Sequence, residues 1–170
     1  YTLRGTSEVL TERYPHLTDA EHADRQQAAL HEASHLITAM VLRYGSVGYR
    51  MFVRVPRVPT GMHNIRRGVS GLVHCNADGW EEAIVDFAGI ASAFISNDPH
   101  KLVAVKSDVA NGMETVNRLV RSDDKQIIYD VRWELLTLAF VIVYWYWPVI
   151  DLTATSLLLN ARKGGGIVNE

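Results

Sequence analysis

Two histidines and a glutamate in the segment His31-Glu32-Ala33-Ser34-His35 have the spacing of a metal-binding motif. Residues four apart lie about one turn apart on the same face of a helix, so the imidazoles of His31 and His35 can bind one ion. Glu32 follows the first histidine, where its carboxylate can act as the base for a metal-bound water without binding the metal. The spacing therefore predicts a site for metal-assisted hydrolysis.

The third ligand of this site is left open by the motif. A catalytic zinc ion usually has three protein ligands and one open position. Val41 stands where shorter versions of the motif continue with a histidine, and no glutamate occurs between Glu32 and Glu81. Position favours Asp108, at the start of a predicted helix, although an acid in a first turn also stabilises the helix dipole without any metal. The downstream candidates are His63, His74, Asp86, Asp98, His100, Asp108 and Glu114.

The hydropathy pattern predicts helices on both sides of a short β element. The motif lies in a helix that begins with the capping box Thr18-Asp19-Ala20-Glu21 and stops at Gly45. A short helix is expected over 7–13, strands over 49–57 and 68–75, and a loop between the strands. Further helices are predicted over about 79–97, 108–122, 126–147 and 149–161, with Ser107 as the N-cap of the helix over 108–122.

Length and composition predict one globular domain over residues 1–170, and the hydropathy pattern makes it mainly α with a small two-stranded β element. A polar lead-in is expected over 1–17 and a flexible tail over 162–170. Hydrophobic residues make up 48% and charged residues 21%, which excludes a disordered or collagen-like chain. The net charge of −2 offers no electrostatic basis for binding nucleic acid or an anionic membrane. Cys75 is the single cysteine, so an internal disulfide is excluded and a cytoplasmic location is expected.

The longest apolar segment, residues 135–150, is predicted to be a buried core helix and not a membrane span. A span needs roughly 20 apolar residues, and Pro148 interrupts this shorter segment. Within it, Tyr144-Trp145-Tyr146-Trp147 cannot all face the core, because successive helical residues are turned about 100° apart. We therefore expect a homo-oligomer with Trp145 or Trp147 at the contact.

The motif and the segments after it resemble the M41 peptidases, the protease domain of FtsH-type ATP-dependent proteases. The resemblance covers roughly residues 26–159, with its segments in the family's order. It implies a helical zinc metalloendopeptidase domain in which Asp108 is the third ligand. The segments that carry it are Ala29-Leu30-His31-Glu32-Ala33-Ser34-His35, Val53-Arg54-Val55-Pro56-Arg57, Gly68-Val69-Ser70-Gly71-Leu72, Phe87-Ala88-Gly89-Ile90-Ala91-Ser92-Ala93, Ser107-Asp108-Val109, Glu114-Thr115-Val116 and Leu119-Val120.

The activity that the resemblance implies is peptide-bond hydrolysis by a zinc-bound water, with Glu32 passing the water's proton to the leaving amine. No Gly-x-x-x-x-Gly-Lys-Ser/Thr loop for binding ATP occurs in the chain. The expected substrates are therefore peptides or unfolded proteins, and folded proteins would need a separate unfoldase. An extended peptide is expected to pair with the strand at 51–54 or the strand at 70–74.

Departures from the family pattern leave two alternatives open. Ser34 replaces the usual glycine of the motif, a change that a helix should tolerate, and Ile90, Ala93 and Phe94 lie where an arginine and a glutamate pair are common. One alternative is a catalytically weak or inactive metal-binding scaffold domain of the same type. The other is a peptidase of another clan that cleaves a regulator and uses a third ligand other than Asp108. The intact Glu32 favours catalysis, because a structural metal site needs no base.

Overall fold

The structure, a computed structural model, describes residues 12, 18–42, 47–53, 69–75, 79–97, 106–160 and 167–168. The described residues are mainly helical, as predicted. The predicted helix over 7–13, apart from residue 12, and the predicted loop between the strands lie outside the described residues. In chain order the elements are α1 (Asp19–Val41), β1 (Val47–Val53), β2 (Val69–Cys75), α2 (Trp80–Ile95), α3 (Lys106–Val120), α4 (Lys125–Trp145), α5 (Trp147–Asn160) and β3 (Ile167–Val168).

The strands form an antiparallel sheet with the order β2-β1-β3. β1 pairs with β2 along its whole length, from Val47 opposite Cys75 to Val53 opposite Val69. β3, which lies in the segment expected to be a flexible tail, pairs only with Arg50 and Met51 of β1. The two predicted strands are thus adjacent partners, and a short third strand lies on the other side of β1.

Two apolar clusters hold the helices together, and α2 contributes to both of them. The first cluster joins α2 to α1, α4 and α5, and the second joins α2 to α3 and α4. Because α2 contacts both α1 and α3, it sets the position of the motif helix relative to Asp108. The first cluster contains Ala29, Leu30, Ala33, Ile37, Ala88, Ala91, Val143, Ile150, Ala154, Leu157 and Leu158, and the second contains Ala83, Ile84, Phe87, Val116, Leu135 and Ala139.

Helices α1 and α2 run antiparallel and lie close together. Near the N-terminal end of α1, Gln27 Oε1 accepts a hydrogen bond of 2.8 Å from Ser96 Oγ, just after the end of α2. Further along α1, His35 Nδ1 lies 2.7 Å from the carbonyl oxygen of Val85, near the start of α2. The contact between the helices is rich in fully buried alanines, whose small side chains let the two backbones approach.

The ends of the later helices differ from the predictions. α3 begins at Lys106, so Ser107 lies inside the first turn and its prediction as the N-cap is wrong. α5 begins at Trp147, two residues before the predicted start at 149. Pro148 is tolerated in this first turn, because the N–H that proline lacks would have no helical acceptor there. Among the described residues no single helix is long and apolar enough to cross a membrane; α4 and α5 pass that test only as a pair, which is bent by 74°.

Candidate metal centre

Three potential ligand atoms from two helices meet at one point. The Nε2 atoms of His31 and His35, both on α1, lie 3.2 Å apart. Asp108, in the first turn of α3, places Oδ2 2.9 Å from Nε2 of His31 and 3.4 Å from Nε2 of His35. Bonds of about 2.0–2.1 Å in a tetrahedral zinc site put neighbouring ligand atoms about 3.3 Å apart. The edges of the observed triangle therefore fit three corners of such a site.

The donor set and its polar atoms also fit a cation. Two imidazoles and a carboxylate form a ligand set that zinc and other divalent metals accept. Asp108 Oδ2 is buried and makes no hydrogen bond of good geometry with the described residues, although both ring nitrogens lie near it. Since a buried carboxylate oxygen needs a partner, a metal ion between these atoms would satisfy it. The group of His31, His35 and Asp108 could thus hold a metal ion.

The ring of His35 is oriented by the backbone of α2. The 2.7 Å contact assigns the ring proton to Nδ1, which donates to the Val85 carbonyl, and leaves the lone pair of Nε2 directed at the centre. The ring of His31 lies edge-on to it, with an angle of 84° between the two planes. The hydrogen-bond partner of His35 Nδ1 could not be predicted from sequence, because every residue type has a backbone carbonyl.

The charges within the metal-free site support one another. Burial by itself would raise the pKa of Asp108, but the imidazoles of His31 and His35 outweigh it and hold that pKa far below its usual range. Burial would lower the pKa of His35, but the Asp108 carboxylate outweighs it and raises that pKa. Asp108 is therefore an anion at neutral pH, as a metal ligand must be.

Glu32 lies beside the ligands in a buried position, with 9% of its surface exposed. Burial raises its pKa above the ordinary value, and the imidazoles of His35 and His31 partly offset that rise. A carboxylate whose pKa moves toward neutral is a better proton acceptor for catalysis than an exposed one. The environment of Glu32 therefore suits the role of a base.

Gly89 on α2 faces the three ligand atoms and was missed as a site residue by the sequence reasoning. A Cβ built on Gly89 would overlap Cε1 of His31 and lie 2.8 Å from Nε2 of His35 and 2.9 Å from Oδ2 of Asp108. The sequence placed Gly89 only within a run of small residues. Its position inside a strongly apolar helix was the available signal, because glycine there costs about 1 kcal/mol relative to alanine.

The other candidate ligands do not belong to this group. Asp86 is half-buried on α2, and burial raises its pKa to about 7, with the charge of His35 lowering it and those of Asp108 and Glu82 adding to the rise. Glu114 is exposed on α3. The side chain of His74, on β2, and the residues His63, Asp98 and His100 lie outside what the structure describes.

The residues singled out from sequence at 34, 90, 93 and 94 have different local environments. The hydroxyl of Ser34 is buried and donates to the Leu30 carbonyl at 2.7 Å, so the helix accommodates the serine as expected. Ile90 packs against the second cluster and Ala93 is buried. Phe94 is 48% exposed, and its ring lies 5.9 Å from that of Phe140. Ile90 and Ala93 thus lie in apolar packing, whereas about half of the Phe94 surface is exposed.

No family model matches this chain, and no curated protein matches it significantly. The geometry of the site and the chemistry of its residues therefore carry the functional proposal.

Proposed function

We propose that the protein is a zinc-dependent metalloendopeptidase of M41-like type. The observation that carries the proposal is the meeting of His31 Nε2, His35 Nε2 and Asp108 Oδ2 within 3.4 Å of one another, with Glu32 buried beside them. A structural zinc site normally has four protein ligands, whereas three ligands and a neighbouring base are typical of a hydrolytic site. Among the described residues the site has three protein ligands, and this donor set favours a catalytic ion.

Each residue of the site has a defined role in the proposed reaction. His31, His35 and Asp108 hold the ion, and the Val85 carbonyl keeps the ring of His35 in the binding orientation. When bound, zinc polarises the scissile carbonyl and lowers the pKa of a water molecule. Glu32 accepts the proton of that water at its carboxylate and then donates it to the leaving amine. Burial of Glu32 keeps this proton transfer away from bulk water.

For the substrate we propose an extended peptide or an unfolded protein that pairs with β2. Of the two strands considered from sequence, β1 already has neighbours on both sides at Arg50 and Met51. β2 has one neighbour among the described strands, so its other edge offers backbone groups to a peptide. Folded proteins would need a separate unfoldase, and the proposed location is the cytoplasm.

Metal analysis and a cleavage assay with an unstructured fluorogenic peptide test this proposal. The purified protein should contain one zinc ion per chain and cleave the peptide. A chelator should abolish the activity, and added zinc should restore it. Glu32→Gln should keep the zinc and lose the activity, because the substitution removes the base and no ligand. Cleavage unchanged in Glu32→Gln would show that the activity belongs to another site or to a contaminant.

A second candidate function is an inactive metal-binding scaffold domain. The apolar packing of Ile90 and Ala93 and the apolar side chain of Phe94 favour it, because charged residues around a metal site commonly tune its ligands. This function predicts bound zinc without cleavage of any peptide. A peptidase of another clan would instead retain zinc after Asp108→Ala.

A further inference from the structure

We propose that Gly89 is a positioning residue of the metal site, and that its missing side chain reserves the space in which the three ligand atoms converge. This inference rests on the metal site of the proposed function. It adds a requirement on α2, a helix that supplies no ligand.

The space in front of Gly89 is the space that the ligands share. An added Cβ would come closer than 3.0 Å to atoms of His31, His35 and Asp108, a separation that real Cβ atoms essentially never show. His35 cannot easily move away, because its Nδ1 is bound to the Val85 carbonyl. The backbones of α1 and α2 cannot easily separate either, because Ala88 on the same helix is fully buried between them. A methyl group at position 89 would therefore displace a ligand.

Backbone conformation gives no other reason for glycine at this position. Gly79 is the glycine with a positive φ among the described residues, and Gly89 lies in the interior of α2. In a helix interior alanine is the better residue by about 1 kcal/mol, so an unconstrained Gly89→Ala substitution would stabilise the protein. The close approach of the ligands is what excludes a side chain here.

Gly112 provides a matched control on α3. It is also a buried helical glycine, but the three atoms nearest to a Cβ there all belong to the ring of Phe87, at 2.6–3.0 Å. Both substitutions thus crowd a helix contact, and the nearest atoms belong to the ligands at Gly89 but to Phe87 at Gly112. A comparison of the two separates loss of packing from loss of the site.

The test is the zinc affinity of the wild type, Gly89→Ala and Gly112→Ala, measured by competition with a chromophoric chelator, with circular dichroism to follow folding. Gly89→Ala should bind zinc at least about 100-fold more weakly, at or beyond the upper range for groups that only support ligands. Gly112→Ala should unfold at a lower temperature but bind zinc with wild-type affinity while folded. Equal affinities in the wild type and Gly89→Ala would overturn this inference and leave the proposed function standing. A wild type that binds no zinc would overturn both.

A variant without ligand side chains covers the case in which Gly89→Ala does not fold. The added Cβ conflicts with the side chains of His31, His35 and Asp108, so replacing all three with alanine should relieve the crowding. In that ligand-free variant, Gly89→Ala should therefore leave the stability in urea unfolding equal or higher. If Gly89→Ala still destabilises the ligand-free variant, the side chain at position 89 conflicts with something other than the ligands and the inference is wrong.

Discussion

Replacing Asp108 with alanine should remove most of the stabilisation that zinc gives the protein. Free zinc at about 1,000 times its Kd stabilises the folded state by about 4.1 kcal/mol. For a chain of 170 residues, each kcal/mol shifts Tm by roughly 2–4 °C, so the wild type should gain about 8–16 °C. Oδ2 of Asp108 is one corner of the ligand triangle, 2.9 Å from Nε2 of His31 and 3.4 Å from Nε2 of His35. A loss of about 100-fold in affinity leaves about 1.4 kcal/mol and a gain of only about 3–6 °C.

The assay compares Tm with zinc and with chelator for each variant, because Asp108 also acts without a metal. A carboxylate in the first turn of α3 stabilises that helix by about 0.3–1 kcal/mol through the helix dipole. In Asp108→Ala the loss of this stabilisation lowers Tm in chelator but leaves the zinc-induced gain in Tm unchanged. Glu114→Ala is the matched control, since Glu114 is an exposed acid on the same helix outside the ligand group. It should keep the full gain.

The ligand assignment would be refuted if Asp108→Ala kept the full zinc-induced gain in Tm. Loss of the gain in Asp86→Ala under the same conditions would then identify the neighbouring carboxyl group as the third ligand. Loss of the gain in both Asp108→Ala and Glu114→Ala would show that the loss is not specific to the ligand group, which would also count against the assignment of Asp108.

Three other outcomes follow from the environments of single residues. Glu32→Gln should lower peptide cleavage by about 10²–10⁴-fold in a kinetic assay while the zinc-induced gain in Tm is kept; a smaller loss would deny Glu32 the role of base. Burial raises the pKa of Asp86 to about 7, so in chelator its ionisation opposes folding, and the free energy of unfolding falls as pH rises from about 4 to 7. Asp86→Asn should then be more stable than the wild type in urea unfolding at pH 8 but not at pH 4, and equal stability at both would contradict this. Trp145 is 75% exposed whereas Trp147 packs against the first cluster, so a homo-oligomer should form through Trp145. Analytical ultracentrifugation should show dissociation in Trp145→Ser, and a wild type that is monomeric at high micromolar concentration would count against the contact.

Helical periodicity was sufficient to predict the local part of the site. His31 and His35 share a face of α1 because a helix repeats every 3.6 residues, and this relation holds wherever the helix lies in the fold. The same regularity predicted a mainly α protein whose apolar faces form the clusters around α2. Exact helix ends were less predictable, as Ser107 shows, because several residues near a terminus offer similar capping energies.

The third ligand of the site was decided by tertiary packing. Asp108 is separated from His35 by the sheet and by α2, and distance along the chain carries no information about which distant carboxylate or imidazole returns to the motif. The resemblance to a family, not spacing, selected it, and the packing of α1 and α3 on α2 brings its carboxylate to the two histidines. The Val85 carbonyl and the bare Cα of Gly89 have no side-chain signature, so their contribution exists only once α2 lies against α1. Local sequence sets the direction of two ligands, whereas close packing of distant helices sets the third ligand and the space for an ion.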